Sequence, residues 1–156
     1  MTVSGYDRVL SPGTATGELL VLGAPISFWG GVDSDGCIVE HRHPQYGTRL
    51  TGRVVAMTSG KGSSSSSSVL AELIRSKAAP AAILLECPDL ILALGALAAG
   101  ELYDRWMPVI VTQGPFSPGL LRVHAPRQGN PSVQGAPAAP AAQQSSGPPR
   151  RTDQAR

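Results

Sequence analysis

Between Arg53 and Thr112 short apolar runs alternate with helical patterns, and this alternation constrains the fold most. Val54-Val55-Ala56-Met57 reads as a short strand. Val69, Leu70, Leu73 and Ile74 then recur at helical spacing, with Glu72 early and Arg75 and Lys77 late, as the helix dipole favours. Ala79-Pro80 ends that helix, and Ala82-Ile83-Leu84-Leu85 reads as a buried strand. Pro88-Asp89 starts a second helix through about Tyr103, and Pro108 to Thr112 forms another buried strand. Strand–helix–strand–helix–strand implies right-handed crossovers and a parallel sheet, so the fold class is α/β.

The first fifty residues read as β structure punctuated by glycine. Arg8-Val9-Leu10 runs into Ser11-Pro12-Gly13, and Gly17 to Leu22 is a short aliphatic strand. Ile26-Ser27-Phe28-Trp29 forms a further run that meets Gly30-Gly31, a pair that permits positive φ or close backbone approach. One of Phe28 and Trp29 is expected in the core and the other at an interface. Asp33-Ser34-Asp35-Gly36 is a turn by its chemistry, and Cys37 to Glu40 is read as a return strand. A small, curled β unit is expected here.

The C-terminal stretch differs in kind. Residues 125–156 hold six of the fourteen prolines, seven alanines, no aromatic residue and a single aliphatic one, Val133. So little apolar area does not offset a chain entropy of roughly 1–2 kcal/mol per residue. The expected division is a folded domain over 1–124 and a disordered tail over 125–156. That tail holds Arg127, Arg150, Arg151 and Arg156 against Asp153, so of the formal +2 net charge the domain keeps about −1. Its basic balance is therefore weak grounds for nucleic-acid binding, and no Lys/Arg stripe interleaved with aromatics occurs before it.

Cys37 and Cys87 form neither a disulfide framework nor a Cys-x-x-Cys pair and suit a reducing compartment. Asp7 and Arg8 fall where a signal peptide would be apolar, and the longest uncharged apolar stretch, Leu90 to Gly100, is shorter than the ~20 residues of a span. A cytoplasmic protein with no membrane contact is expected. His41 and His43 lie near Asp33, Asp35 and Glu40 and admit a metal reading. Pro44 ends the strand such a site needs, which favours a polar loop or a structural histidine.

Thr58-Ser59-Gly60-Lys61-Gly62 and six serines, Ser63 to Ser68, join the first of the buried strands to its helix. A strand, a Gly-rich turn and a helix N-terminus bring free backbone N–H groups and a positive dipole to one spot, which favours an anion. Lys61 adds a charge. The P-loop pattern fails, because Gly62 follows Gly60-Lys61 where Ser or Thr is required. The run admits two readings, a flexible linker and an anion site. Against the linker reading, the run is bracketed by a strand and an amphipathic helix, and one of its last serines is expected to cap that helix.

Pro25-Ile26-Ser27-Phe28-Trp29-Gly30-Gly31-Val32-Asp33, His43-Pro44, Gly47 and Gly60-Lys61-Gly62-Ser63-Ser64-Ser65 resemble, in order, the small subunit of the aconitase X family. The resemblance covers residues 5–115. It implies a swivelling β/β/α domain like the fourth domain of aconitase. It also implies a heterodimer whose large subunit holds an iron–sulfur cluster, with no cofactor or metal bound by this chain. The family's members are hydro-lyases. Bacterial members resemble cis-3-hydroxy-L-proline dehydratase, archaeal ones phosphomevalonate dehydratase, and the tail composition favours the first. The family's proton-acceptor serine, directly after Gly-Arg/Lys-Gly, falls on Ser63, with Ser64 its nearest competitor. Lys61, Gly62, Ser64 and Ser65 would hold the substrate carboxylate. A non-catalytic docking module remains the alternative reading.

Overall fold

The computed structural model describes residues 7–137. One sheet of seven strands organises it: β1 (Arg8–Ser11), β2 (Gly13–Val21), β3 (Val54–Met57), β4 (Ala82–Leu85), β5 (Val109–Val111), β6 (Leu120–Ala125) and β7 (Ser132–Gly135). The spatial order is β1-β5-β4-β3-β2-β6-β7. Strands β3, β4 and β5 run parallel, as the alternation implies, β2 joins them parallel to β3, and β1, β6 and β7 add antiparallel edges. Helices α2 (Ser66–Arg75) and α3 (Leu90–Tyr103) form the crossovers from β3 to β4 and from β4 to β5.

Period-two alternation in β3 divides the core. Val55 and Met57 join Ile83, Leu85, Leu70, Leu73 and Leu92 on the helical side. Val54 and Ala56 join Leu84, Ile110, Leu121 and Val123 on the other. β2 pairs with β3 through Leu19–Val21 and with β6 through Gly13–Glu18, so the sheet curls over its second face.

The tail boundary at 124 is corrected. β6 runs to Ala125 and pairs with β7, with Val123 opposite Val133, and Arg127 stacks 4.1 Å over the Trp106 ring. Composition undervalued this stretch because a backbone ladder to a neighbouring strand satisfies polar groups that side chains do not. The remainder of the expected tail, from 138, lies outside the described residues.

Two short elements also differ from expectation. Ile26–Trp29 is not a strand: Ile26 makes one parallel bridge to Gly60, and Phe28–Gly31 is a single kinked turn, α1, with Gly30 at φ +78°. Phe28 is 1% exposed and Trp29 59%, so the aromatic pair splits between core and surface. Cys37–Glu40 makes isolated bridges, from Ile38 to Val32 and from Cys37 to Arg49, because the Asp33–Gly36 turn returns the chain too briefly for a ladder.

Asp89 caps α3, its Oδ1 accepting the N–H groups of Ile91 (2.9 Å) and Leu92 (3.0 Å). This helix is apolar on nearly every side. Its inner face buries Leu92, Ala93, Ala96 and Ala99, while Leu90 (73% exposed), Leu94 (60%) and Leu97 stripe the outer face. No helix among the described residues is long and apolar enough to cross a membrane.

Candidate functional site: the serine loop

The loop after β3 is a built structure, not a linker. Gly60 bridges Ile26, and the Lys61 N–H donates to the Ile26 carbonyl at 3.2 Å. Gly62 follows at φ +92°, where a Cβ would stand 2.5 Å from Ser27 Oγ. Both the left-handed backbone and the close neighbour exclude a side chain there.

The identical serines have different surroundings. Ser63 caps the helix start: its Oγ accepts the Ser65 N–H at 3.1 Å and its carbonyl accepts the Ser66 N–H at 3.0 Å. Ser65, one residue before α2, makes no side-chain cap bond, so the capping expected of a late serine falls to the first. Ser64 is exposed, and its carbonyl accepts both the N–H (3.1 Å) and the O–H (2.8 Å) of Ser67. Ser66 is 3% exposed, its Oγ accepting the Trp29 N–H at 3.1 Å and lying 3.4 Å from Ser27 Oγ. Ser67 lies beneath Gly95 of α3, whose Cβ, if present, would stand 2.5 Å from the Ser67 carbonyl. Small residues there let the two helices cross closely. Ser66 is held against α1 by its hydroxyl and is therefore no neutral position.

Lys61 Nζ pairs with Glu40 Oε1 at 2.7 Å, both side chains being partly exposed. The loop thus presents an exposed Ser63 hydroxyl and an ammonium two residues before it. The N–H groups of Gly62, Ser63 and Ser64 make no hydrogen bond among the described residues. Such donors at a helix start stabilise negative charge, on a bound carboxylate or on the Ser63 oxygen itself. Among the described residues the displaced titrations lie elsewhere: at the far end of α2 the Arg75 guanidinium hydrogen-bonds Glu72 and lowers that carboxyl from its ordinary value. Where β3, β4 and β5 end, a cleft of about 580 Å³ is lined by Met57, Thr58, Leu84, Glu86, Thr112 and Phe116.

The histidines are structural. His43 is buried, with Nε2 2.9 Å from the Ala24 carbonyl and Nδ1 accepting the Gln45 N–H at 3.0 Å, which assigns the Nε2–H tautomer. His41 stacks on Tyr46. His124, which has no evident partner in the sequence, lies 2.9 Å from Thr14 Oγ1 across the β2–β6 pair. Among the described residues no three His, Cys, Asp or Glu side chains are grouped to hold a metal. Free Cys37 and exposed free Cys87 do not supply the three or four thiolates of an iron–sulfur cluster, so this chain does not fit one.

Sequence reasoning missed Ser27 and Ser66 as supports of the loop, and saw Glu40 only as a metal candidate. Helical phasing of Ser66 with Leu70 and Leu73, all on the buried side of α2, was the signal available.

A parallel α/β core with antiparallel edges and a serine-bearing helix N-terminus at one rim defines a swivel-type domain. The chain belongs to the aconitase X swivel domain family, which residues 5–120 match. It is 50% identical over 103 residues to a cis-3-hydroxy-L-proline dehydratase of Pseudomonas aeruginosa, covering 65% of this chain and 18% of that protein. It is 39% identical over 100 residues to the phosphomevalonate dehydratase small subunit of Methanothermobacter thermautotrophicus, covering 63% of this chain and 76% of that one. Thermococcus kodakaraensis aconitase X in its holo-form superposes with a TM-score of 0.69 at 28% identity, over 83% of this chain and 99% of that one. The chain thus spans under a fifth of the hydroxyproline dehydratase that it resembles.

Proposed function

We propose that the chain is the small subunit of a two-chain hydro-lyase acting on a hydroxy acid, cis-3-hydroxy-L-proline, to give a pyrroline-2-carboxylate. The observation that carries this reading is Ser63. Its hydroxyl is exposed at a helix N-terminus, accepts the Ser65 N–H, and follows Lys61-Gly62. In this reading Ser63 removes the proton α to the substrate carboxylate. Hydrogen bonding to the charged form lowers a hydroxyl pKa, and the helix dipole acts in the same sense. The unbonded amides and Lys61 hold the carboxylate, with the Ser64 and Ser65 hydroxyls as further donors. Lys61 exchanges Glu40 for substrate as it does so.

The partner completes the site. The residues of this chain do not fit an iron–sulfur cluster, so the group that takes the departing β-hydroxyl is assigned to the larger chain. Two observations support such a partner. The Pseudomonas aeruginosa relative carries the matched region as 18% of a longer protein, and the outer stripe of α3 offers that remainder an apolar surface. The 50% identity supports the hydroxyproline substrate. A second reading, the phosphomevalonate dehydratase small subunit, rests on the 76% of the Methanothermobacter thermautotrophicus subunit that the match covers.

The test supplies the purified chain with an aconitase X large subunit and cis-3-hydroxy-L-proline or phosphomevalonate. Dehydration of hydroxyproline that requires both chains supports the proposal. Turnover of phosphomevalonate alone favours the second reading. Turnover by the large subunit without this chain overturns both and leaves a docking module.

A further inference from the structure

Ser63 sits between two contacts made by one segment, Ser27–Trp29. Before it, Gly62 packs on Ser27 so closely that no Cβ fits. After it, buried Ser66 Oγ accepts the Trp29 N–H at 3.1 Å and lies 3.4 Å from Ser27 Oγ. Ser27 Oγ in turn donates to the Trp29 carbonyl at 3.0 Å. Both polar groups of the Trp29 backbone are thereby held, although its indole is largely exposed. Phe28, buried between them, ties the segment to the core.

We infer that Ser66 and Ser27 are positioning residues that clamp the serine loop at both flanks of Ser63 and set the place of its hydroxyl. This rests on the reading of Ser63 as the proton acceptor. The loop carries glycines at 60 and 62, whose backbones lose the most freedom on ordering, so its geometry needs an external constraint. A buried hydroxyl that accepts a backbone N–H is such a constraint, and its loss leaves that part-buried N–H without its protein partner. Proton transfer is sensitive to ångström-scale misplacement. Both hydroxyls are bonded to the Trp29 backbone.

The experiment compares Ser66→Ala, Ser66→Cys and Ser27→Ala with Ser76→Ala. Ser76 donates to the Leu73 carbonyl at the other end of α2 and serves as the purely structural control. Amide exchange at Trp29 is read by NMR in the full-length chain, and kcat and KM in the reconstituted two-chain enzyme. Ser66→Ala is expected to speed Trp29 exchange and lower kcat, each about tenfold, with KM unchanged within about twofold. Ser66→Cys, a near-isosteric weak acceptor, restores part of both. Ser76→Ala changes neither. Should Ser66→Ala fail to fold, Ser27→Ala carries the test with the same signs and a smaller loss. Unchanged kcat in Ser66→Ala or Ser27→Ala, or an equal loss in Ser76→Ala, overturns the clamp. If Ser63→Ala abolishes turnover while the clamp variants are silent, the proton-acceptor reading stands and the clamp alone is wrong. If Ser63→Ala is itself silent, both fall.

Discussion

A Cβ on Gly60 would stand 2.5 Å from Asp89 Oδ2. The first glycine of the serine loop therefore lies against the carboxylate whose other oxygen caps α3. The loop that leads into α2 thereby packs on the start of α3.

Gly60→Ala forces the Asp89 carboxylate to move and loosens its cap. The expected cost is about 1–2 kcal/mol, the range for losing an N-cap, read as a lower urea midpoint at unchanged m-value. In an Asp89→Ala background the same substitution is expected to cost much less, because the two residues share one contact. Equal costs in both backgrounds contradict the coupling.

The C-terminal boundary is tested by truncation. Removing residues from 138 onward is expected to leave the urea midpoint unchanged. Truncation after Ala125 deletes β7, the Val123–Val133 pair and the Arg127–Trp106 stack, and is expected to cost about 1–2 kcal/mol. Equal midpoints for the two truncations contradict a structural β7.

These cases show what was legible in the sequence. The β3–α2–β4–α3–β5 alternation was readable because its strands are buried on both faces and its helices pack over many turns. The Asp89 cap and the site of the serine loop were readable from local chemistry. β7 was not, since a ladder to β6 leaves little trace in a Pro- and Gly-rich stretch. The division of labour among the serines was legible only for Ser66, through its phase with Leu70 and Leu73. Ser63 and Ser67 are told apart by contacts that a homopolymeric run does not signal, the Ser65 N–H and Gly95 of α3.

Lys61 is predicted to bind substrate and contribute little to folding. Lys61→Gln is expected to raise KM by about tenfold or more, the loss of a charge-assisted hydrogen bond, measured in the two-chain enzyme. Its stability cost should stay under about 1 kcal/mol, because the pair with Glu40 is partly exposed. Glu40→Gln is expected to leave KM equal or lower, since it frees the ammonium. A raised KM in Glu40→Gln and none in Lys61→Gln contradicts the assignment.

The most direct measurement is solvent deuterium exchange at the substrate α-carbon, which isolates proton removal from loss of the hydroxyl. In the two-chain enzyme Ser63→Ala is expected to slow exchange by at least about 10²-fold, the lower end for losing a general base. Exposed Ser68 is the control, and Ser68→Ala is expected to match the wild type. A stability cost near 1 kcal/mol is expected for Ser63→Ala, because its Oγ caps the first turn. Undiminished exchange in Ser63→Ala, whether or not Ser64→Ala abolishes it, contradicts Ser63 as the proton acceptor.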